Sequence, residues 1–251
     1  MTQPVGEIYI GTSGWSYSHW KGFFYPANIS AAQMLEEYVR HFRTTEINSS
    51  FYRLPSRKIL VQWRKSAPAD FVFSVKASRY ITHMKKLKEP EDNVSTLLGR
   101  IKMLGDKLGP ILFQLPPRWH YNEERLAAFL ESLPGGFHYA FEFRDQSWLN
   151  KRTYRLLADH NAAFCIYELD GFLSPKEVTA DFIYVRLHGP GGPYQGSYDS
   201  AVLAEWTKIF VNWSAQGRSV YCYFDNDEKG YAAVNARTLQ NMVAGVRQGQ
   251  R

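Results

Sequence analysis

Eight short apolar runs of strand length, separated by segments with helical periodicity, fill this 251-residue chain from end to end. Such alternation is typical of α/β proteins with a parallel sheet, and eight repeats predict a (β/α)8 TIM barrel with eight parallel strands. About 250 residues is the usual length of one such barrel, so we expect a single domain over residues 1–251. The runs are IYIGTSGW from Ile8, TTEINSSFY from Thr44, FVFSVKAS from Phe71, PILFQLPP from Pro110, YAFEFRD from Tyr139, AAFCIYE from Ala162, FIYVRLHG from Phe182 and SVYCYFDN from Ser219.

Polar residues cluster near the ends of these runs. In a parallel barrel the carboxyl ends of all strands lie on one face, which is where TIM-barrel enzymes carry their active sites. We therefore expect residues that are a hundred positions apart in sequence to converge there. They are Glu46, Asn48, Lys76, Gln114, Glu142, Arg144, Arg186, His188 and Asp225.

Two interpretations of this polar face stay open. Burying an ionised group costs several kcal/mol unless it is paired or hydrated, so charged strand ends indicate either a functional site or a structural ion-pair network. In the structural interpretation, three acidic residues neutralise three basic ones and fix the strand register. The acids would be Glu46, Glu142 and Asp225, and the bases Lys76, Arg144 and Arg186.

Composition limits the class of protein. The formal charge of +6 permits an anionic partner, but it is spread too thinly for the basic stripe of most nucleic-acid-binding proteins, so we do not expect a nucleic acid. Two cysteines, Cys165 and Cys222, lie in predicted strands and should be buried, reduced thiols. Neither an export signal nor an apolar run long enough to span a membrane is evident, which predicts a soluble cytoplasmic protein without membrane contacts.

Helix signals between the runs support the repeat. Capping residues, prolines and glycines are expected to mark the helix ends. The predicted signals are a Ser30–Gln33 capping box for a helix to about Phe42, a start at Asp92 or Asn93 with an end at Gly109, a start at Asn122, a short helix opened by Ser174, Pro175 and Glu177, and an end at Gly217.

Loops after the runs suggest what the site would bind. Tyr52 and Trp148 are candidates to stack on the flat face of a ligand. The glycine-rich loop that starts at Gly189 could present backbone N–H groups to an anion. Lys76 lies within a strand, and the basic loop that follows it could fold over the site, although its more distant lysines are expected to be solvated.

Several motifs together resemble the YecE-like family, a domain family of unknown function, over essentially the whole chain. They are GTSGWSY, EINSSFY from Glu46, FSVK from Phe73 followed by TH at Thr82, GPILFQLPP from Gly109, EFR at Glu142 followed by SW at Ser147, and VRLHG at Val185. The resemblance implies a TIM barrel with a pocket at these positions, but it supplies no reaction. The chain departs from the family pattern at Asp145 and Asp225, where an additional negative charge replaces a histidine and an asparagine.

We therefore predict an enzyme that acts by general acid–base chemistry on a small anionic or polyhydroxy substrate, such as a sugar phosphate or nucleoside phosphate. The alternatives are a noncatalytic protein that binds a metabolite or nucleic acid, and a metal-assisted hydrolase or isomerase. Three nearby cations disfavour a divalent metal, so no cofactor is predicted. The predicted catalytic residues are Glu46, Glu142, His188 and Asp225, and the predicted substrate-binding residues are Asn48, Tyr52, Lys76, Gln114, Arg144, Trp148, Arg186, Gly189 and Asn226.

Overall fold

The computed structural model describes residues 4–249. Among these residues it contains nine strands and seven α-helices. The strands are β1 (Ile8–Thr12), β2 (Thr44–Ile47), β3 (Val72–Lys76), β4 (Leu108–Gln114), β5 (Tyr139–Glu142), β6 (Ala163–Leu169), β7 (Phe172–Leu173), β8 (Phe182–Leu187) and β9 (Ser219–Phe224). The helices are α1 (Met34–Tyr38), α2 (Arg57–Ser66), α3 (Pro90–Ile101), α4 (Glu123–Ser132), α5 (Lys151–Asp159), α6 (Ser200–Ala215) and α7 (Tyr231–Gly249).

The fold class is the predicted one, a TIM barrel with eight parallel strands. Hydrogen-bonded neighbours follow the order β1, β9, β8, β6, β5, β4, β3, β2. All eight predicted runs contain one of these strands. The ninth strand, β7, was not predicted; it pairs antiparallel with the end of β6 across a turn in which Asp170 and Gly171 have positive φ angles.

Two compact units divide the chain. Unit 1 comprises the described residues 4–45, 166–174 and 181–249, and unit 2 comprises residues 46–165 and 175–180. Unit 1 contains β1, β8 and β9, and unit 2 contains β3, β4 and β5. The prediction of a single domain over residues 1–251 stays a prediction, and residues 1–3 and 250–251 lie outside the described residues.

Two of the predicted helix signals are confirmed. Asn122 precedes α4, and its side-chain oxygen accepts a hydrogen bond of 2.8 Å from the backbone N–H of Arg125. This contact satisfies one of the N–H groups that the first helical turn leaves without a partner. Gly217 follows α6 with a φ of 82°, the left-handed conformation that favours glycine at a helix end.

The prediction that a capping box at Ser30 opens a helix to about Phe42 was wrong about both ends of that helix. The hydroxyl of Ser30 does bond the side-chain oxygen of Gln33, at 2.7 Å. That contact closes a local turn, since the N–H of Gln33 bonds the carbonyl of Ser30 at 3.0 Å. The α-helical ladder begins only at Met34 and ends at Tyr38, before the predicted end at Phe42.

Three other predicted helix boundaries were also wrong. Ser174 opens no helix; its N–H donates to the carbonyl of Tyr167 and its hydroxyl accepts from the N–H of Tyr167, both at 2.9 Å, which extends the hairpin instead. Helix α3 begins at Pro90, a favourable residue for a first turn, and ends at Ile101. Gly109 lies inside β4, and the backbone breaks from helical geometry earlier, at Gly105.

In unit 2, aromatic residues fill the face of the sheet that packs on the helices. Phe113 and Phe141 are register partners on β4 and β5, and both rings contact Phe129 of α4, with centroids 5.1 and 6.1 Å apart. Because side chains alternate along a strand, residues one position away point to the opposite face.

No helix among residues 4–249 is long and apolar enough to cross a membrane.

We predict that Asn122→Ala lowers the free energy of unfolding by about 1 kcal/mol, because one N–H at the start of α4 loses its acceptor. Urea denaturation would measure the difference. Asn122→Asp is the matched control, since it keeps an acceptor and should remain close to wild type. An alanine variant as stable as wild type would contradict the capping role.

Candidate functional site

The sheet face opposite the helices carries polar side chains in unit 2. Gln114 and Glu142 are register partners at the ends of β4 and β5, and Lys76 pairs with Leu112, two residues before Gln114 on the same face. All three side chains are buried. Strand pairing therefore brings together Lys76, Gln114 and Glu142, as the sequence predicted, on a face free of the aromatic packing.

Glu142 forms the most deeply buried contact of this face. Its Oε1 accepts a hydrogen bond from Nε of Arg144, and its Oε2 lies 3.9 Å from the thiol of Cys165, which is buried and forms no disulfide, as predicted. The side chain of Glu142 has no exposed surface and that of Arg144 only 8%. Each charge therefore depends on the other, because an ion left alone at this depth would cost several kcal/mol.

The end of β3 is tied to the segment that follows β2. The hydroxyl of Ser50 lies 2.7 Å from the carbonyl oxygen of Ile47 and 2.6 Å from that of Lys76. The ammonium of Lys76 lies over the ring of Phe51, 4.4 Å from its centroid. This cation–π contact holds the Lys76 charge beside the short turn that Asn48 precedes.

His83 completes the charged cluster, although no role was predicted for it. It lies in a single π-helical turn, Tyr80–Met84, and such turns occur frequently at functional sites. Its ring packs edge-on against Phe51 at 5.0 Å, and its Nδ1 bonds the hydroxyl of Thr82 at 2.9 Å. The TH pair of the family resemblance and the basic loop were the signals that could have singled it out.

Burial, together with the positive charges of Lys76, Arg79 and Arg144, lowers the pKa of His83 to about 4. The imidazole is therefore neutral at pH 7. Three cations act on this one ring, which marks a region of positive potential around it.

The loop that carries His83 is strained. Lys86, Leu87 and Glu89 all have positive φ angles, between 48° and 61°, a conformation that costs non-glycine residues free energy. Leu87 is nevertheless fully buried, so packing of its side chain holds the strained segment in place.

Two amide side chains bring buried acceptors to this region. Within the described part of the chain, Oδ1 of Asn48 and Oε1 of Gln114 have no hydrogen-bond partner. An unsatisfied buried acceptor costs about 1–3 kcal/mol. A ligand with hydroxyl or N–H groups could recover this free energy.

Unit 1 has a second polar cluster, in which Arg186 and His188 are fully buried. Arg186 donates to Oδ2 of Asp225 at 3.0 Å and to the hydroxyl of Ser13 at 3.2 Å. A guanidinium has no acceptor, so its contact of 3.3 Å with Nε2 of His188 requires that nitrogen to be unprotonated. The ring proton is then on Nδ1 and is donated to Asp225 at 3.1 Å. Both ring nitrogens of His188 are thus occupied within the protein.

The glycine-rich loop uses its backbone donors internally. The N–H of Gly189 bonds the hydroxyl of Tyr198 at 3.0 Å, and that of Gly191 bonds the carbonyl of Gln195 at 3.2 Å. A Cβ atom on Gly189 would come within 2.1 Å of the carbonyl oxygen of Gln195, so the turn itself requires glycine there. The N–H groups of Gly189 and Gly191 are therefore used within the protein, while the prediction that this loop binds an anion stays a prediction.

The remaining predicted binding residues differ in their access to solvent. Trp148 is fully buried: its Nε1 donates to the carbonyl of Trp119 and its ring stacks on Phe143, which corrects its prediction as a ligand-stacking residue. Tyr52 is 73% exposed and remains open to a ligand. Asn226 is fully buried and donates to the carbonyl of Gly196 and to Asn235, both at 2.8 Å.

Asp227 is a further titratable residue that the sequence analysis missed. It accepts from Nε1 of Trp20 at 2.7 Å, and its other oxygen lies 2.9 Å from Nε2 of His19. Burial raises the pKa of Asp227 to about 6; the bonds from Trp20 and His19 lower it, while the nearby Asp225 raises it. No sequence motif distinguishes this aspartate from the others that follow a strand.

Glu46 of β2 is fully buried. Unit 2 thus assembles Lys76, Gln114, Glu142 and Arg144, and unit 1 assembles Arg186, His188 and Asp225. Convergence of the two groups at one end stays a prediction. Among residues 4–249, no three His, Cys, Asp or Glu side chains lie close enough together to hold a metal ion.

Breaking the buried pair should destabilise the protein. We expect Glu142→Ala to cost roughly 3–5 kcal/mol in free energy of unfolding, because Arg144 is left with a buried charge. Removing both charges with Glu142→Leu and Arg144→Met should recover much of the loss. Denaturant melts compare these variants with Glu131→Ala, which removes an exposed carboxylate. Glu142→Ala as stable as wild type would exclude a buried pair.

The positive potential at His83 can be measured directly. By NMR titration we expect a pKa of about 4 in the wild type and a higher value in Lys76→Met, because one of the cations that oppose protonation is gone. Lys88→Met removes a solvated charge from the same loop and should leave the pKa unchanged. Between pH 6.5 and about 4, His83 binds a proton in the unfolded chain but not in the folded protein. The free energy of unfolding should therefore decrease as the pH is lowered through this range. An ordinary wild-type pKa near 6.5 would contradict the cluster.

The matching family model and the relatives named below have descriptions that state no activity. The family model described as "Protein of unknown function DUF72" matches residues 9–250. The UPF0759 protein YecE of Escherichia coli is 34% identical over 145 residues, which is 57% of this chain and about half of that relative, 51%. The UPF0759 protein YunF of Bacillus subtilis is 26% identical over 269 residues, covering 94% of both chains. The crystal structure of a DUF72 family protein from Thermotoga maritima aligns with a TM-score of 0.86 at 30% identity, over 95% of this chain and 99% of that one.

Proposed function

Because the chain belongs to the DUF72 family, whose description assigns no activity, we propose its function from its own residues: an enzyme that binds a small hydroxylated anion at the unit 2 cluster and acts on it by acid–base chemistry. The cluster comprises Asn48, Lys76, His83, Gln114, Glu142 and Arg144. The observation that carries this proposal is that the Lys76 ammonium and the His83 ring both contact Phe51, which brings a cation and an imidazole to the same place.

The charges favour an anion. Arg144 is paired with Glu142, the Lys76 ammonium lies over the ring of Phe51, and the charges of Lys76, Arg79 and Arg144 all act on His83. In our proposal a phosphate or carboxylate lies near Lys76 and Arg79, where charge-assisted hydrogen bonds are about twice as strong as neutral ones. Arg79 is exposed, so it can move to meet the ligand.

The amide oxygens favour hydroxyl groups. Asn48 and Gln114 present buried acceptors, and a polyhydroxy substrate supplies donors for both. A site that hydrogen-bonds substrate hydroxyls discriminates strongly against analogues that lack them, because its own polar atoms are then left unpaired. Sugar phosphates and hydroxy acids combine both features.

Proton transfer would fall to Glu142 and His83. Glu142 is adjacent to Gln114 in the strand register, so a hydroxyl bound by Gln114 would lie beside its carboxylate. A neutral imidazole has one N–H donor and one acceptor nitrogen. It can therefore donate a hydrogen bond to an oxygen that develops charge. We do not place His188 in this role, because both its nitrogens are bonded to Arg186 and Asp225.

A noncatalytic binding protein is the second candidate. The observation that favours it is the complete burial of Glu142, with both carboxylate oxygens already in contact with Arg144 and Cys165. In that case the cluster would bind the same class of ligand and Glu142 would only hold Arg144 in position.

Ligand stabilisation tests the binding proposal. We expect glucose 6-phosphate to raise the melting temperature more than inorganic phosphate or glucose does, with about 2.7 kcal/mol added at 100 times the dissociation constant. Lys76→Met and Gln114→Leu should reduce the response, and Lys88→Met should not. If the screen of phosphorylated sugars and hydroxy acids gives the same response in wild type and Lys76→Met, the unit 2 cluster is not the binding site.

Solvent exchange separates the enzyme from the binding protein. Incubation of bound ligands in D2O, followed by NMR, would detect a C–H proton that the protein removes and replaces with deuterium. The enzyme proposal expects exchange that Glu142→Gln abolishes while ligand binding persists. Saturable binding without exchange, for every ligand that stabilises the protein, would favour the noncatalytic candidate.

A further inference from the structure

A cavity of about 600 Å³ lies in unit 2 beside α2, outside the cluster described above. Its volume is within the range of small-molecule sites in proteins, about 300–1,000 Å³. Residues of α2, the segment that precedes it and Arg100 of α3 form its walls. Neither the sequence analysis nor the proposed function uses this cavity.

One wall of the cavity is cationic. Arg53 and Arg100 line it, and no acidic side chain does so among the described residues. Nη1 of Arg100 donates to the carbonyl of Pro55 at 3.1 Å, which fixes the guanidinium at the wall. Arg57 and Lys58 add positive charge in the first turn of α2, where acidic residues would be the favourable choice.

The lining also contains apolar side chains and an aromatic ring. Trp63 and Leu54 line the cavity, and Ile59 beside them is 41% exposed. An indole face is the best of the side-chain surfaces for stacking on a planar ring. The combination of a guanidinium pair and an indole face is suited to a ligand with an anionic end and a flat apolar end.

Ser56 adds a hydroxyl group to the lining of the cavity. Its Oγ accepts a hydrogen bond of 3.3 Å from the N–H of Ile59, as a helix N-cap. Because the oxygen serves as the acceptor there, the hydroxyl proton is available to an oxygen of a ligand.

We propose that this cavity is a second binding site, separate from the unit 2 cluster, for a small anion that carries a planar ring, of the nucleoside monophosphate class. The phosphate lies between Arg53 and Arg100 and accepts from Ser56, and the base stacks on Trp63. Guanidinium groups suit this role because they bind phosphate oxygens with two parallel hydrogen bonds.

Calorimetric titration with adenosine 5′-monophosphate tests the site in the full-length protein. We expect saturable binding that Arg53→Gln and Arg100→Gln each weaken about tenfold or more, as lost charge-assisted hydrogen bonds do. Ribose 5-phosphate should bind about tenfold more weakly than the nucleotide, and Trp63→Leu should remove that difference. The melting temperature of each variant verifies that it folds; if Trp63→Leu does not, Trp63→Phe and the two arginine variants decide.

Two controls assign the binding to this cavity. Arg64→Gln removes an exposed guanidinium from the same helix, one that pairs with Asp106 at 3.0 Å, and should leave nucleotide affinity unchanged. Lys76→Met, which disables the unit 2 cluster, should also leave it unchanged. The proposal is overturned by the absence of saturable binding at millimolar nucleotide, by binding that survives the arginine variants, by equal affinity for ribose 5-phosphate, or by binding lost in Lys76→Met.

Discussion

The two-residue period of side chains along a strand is the constraint on which both polar clusters depend. In unit 2 it places Phe113 and Phe141 against α4 and turns Gln114 and Glu142 to the opposite face. The aromatic face supplies the hydrophobic free energy that holds the strands on their helices, which lets the other face carry groups that cost stability. A register shift of one residue would bury the polar row against α4 and expose the aromatic one.

A buried charge needs partners within the protein, and the two units differ in how their buried charges are paired. In unit 1, Arg186, His188 and Asp225 contact one another, and the proton on Nδ1 of the histidine is donated to Asp225. Such a network of mutual contacts matches the structural interpretation of charged strand ends. In unit 2, the Glu142–Arg144 pair is compensated, yet burial and the positive charges of Lys76, Arg79 and Arg144 together lower the pKa of His83, which indicates an excess of positive charge around its ring. That imbalance is why our functional proposal rests on unit 2.

The backbone around His83 points in the same direction. This segment has a π-helical turn and three positive φ angles within ten residues, and such angles cost residues other than glycine free energy. Proteins retain backbone strain of this kind where the surrounding packing enforces it. Here the buried side chain of Leu87 provides that packing. The strain fixes His83 against Phe51, and hence beside the Lys76 ammonium, a position that an unstrained helix end would not guarantee.

The sequence by itself determined the TIM-barrel class, all eight parallel strands and the polar rows at their ends, because apolar alternation and strand length are local properties that each segment carries in its own residues. It also predicted the helix ends where one side chain or one glycine suffices, as at Asn122 and Gly217.

Prediction from the sequence failed where the outcome depends on a distant partner. Ser174 bonds Tyr167 rather than opening a helix, and Trp148 is covered by Phe143 and Trp119 rather than offered to a ligand. The three-dimensional structure was needed to show that the N–H groups of Gly189 and Gly191 are bonded within the protein, that both ring nitrogens of His188 have partners and that three cations act on His83. Whether a buried atom has a hydrogen-bond partner, and what electrostatic potential acts on it, depends on residues that are far apart in the sequence. The distances between those residues are set only by folding.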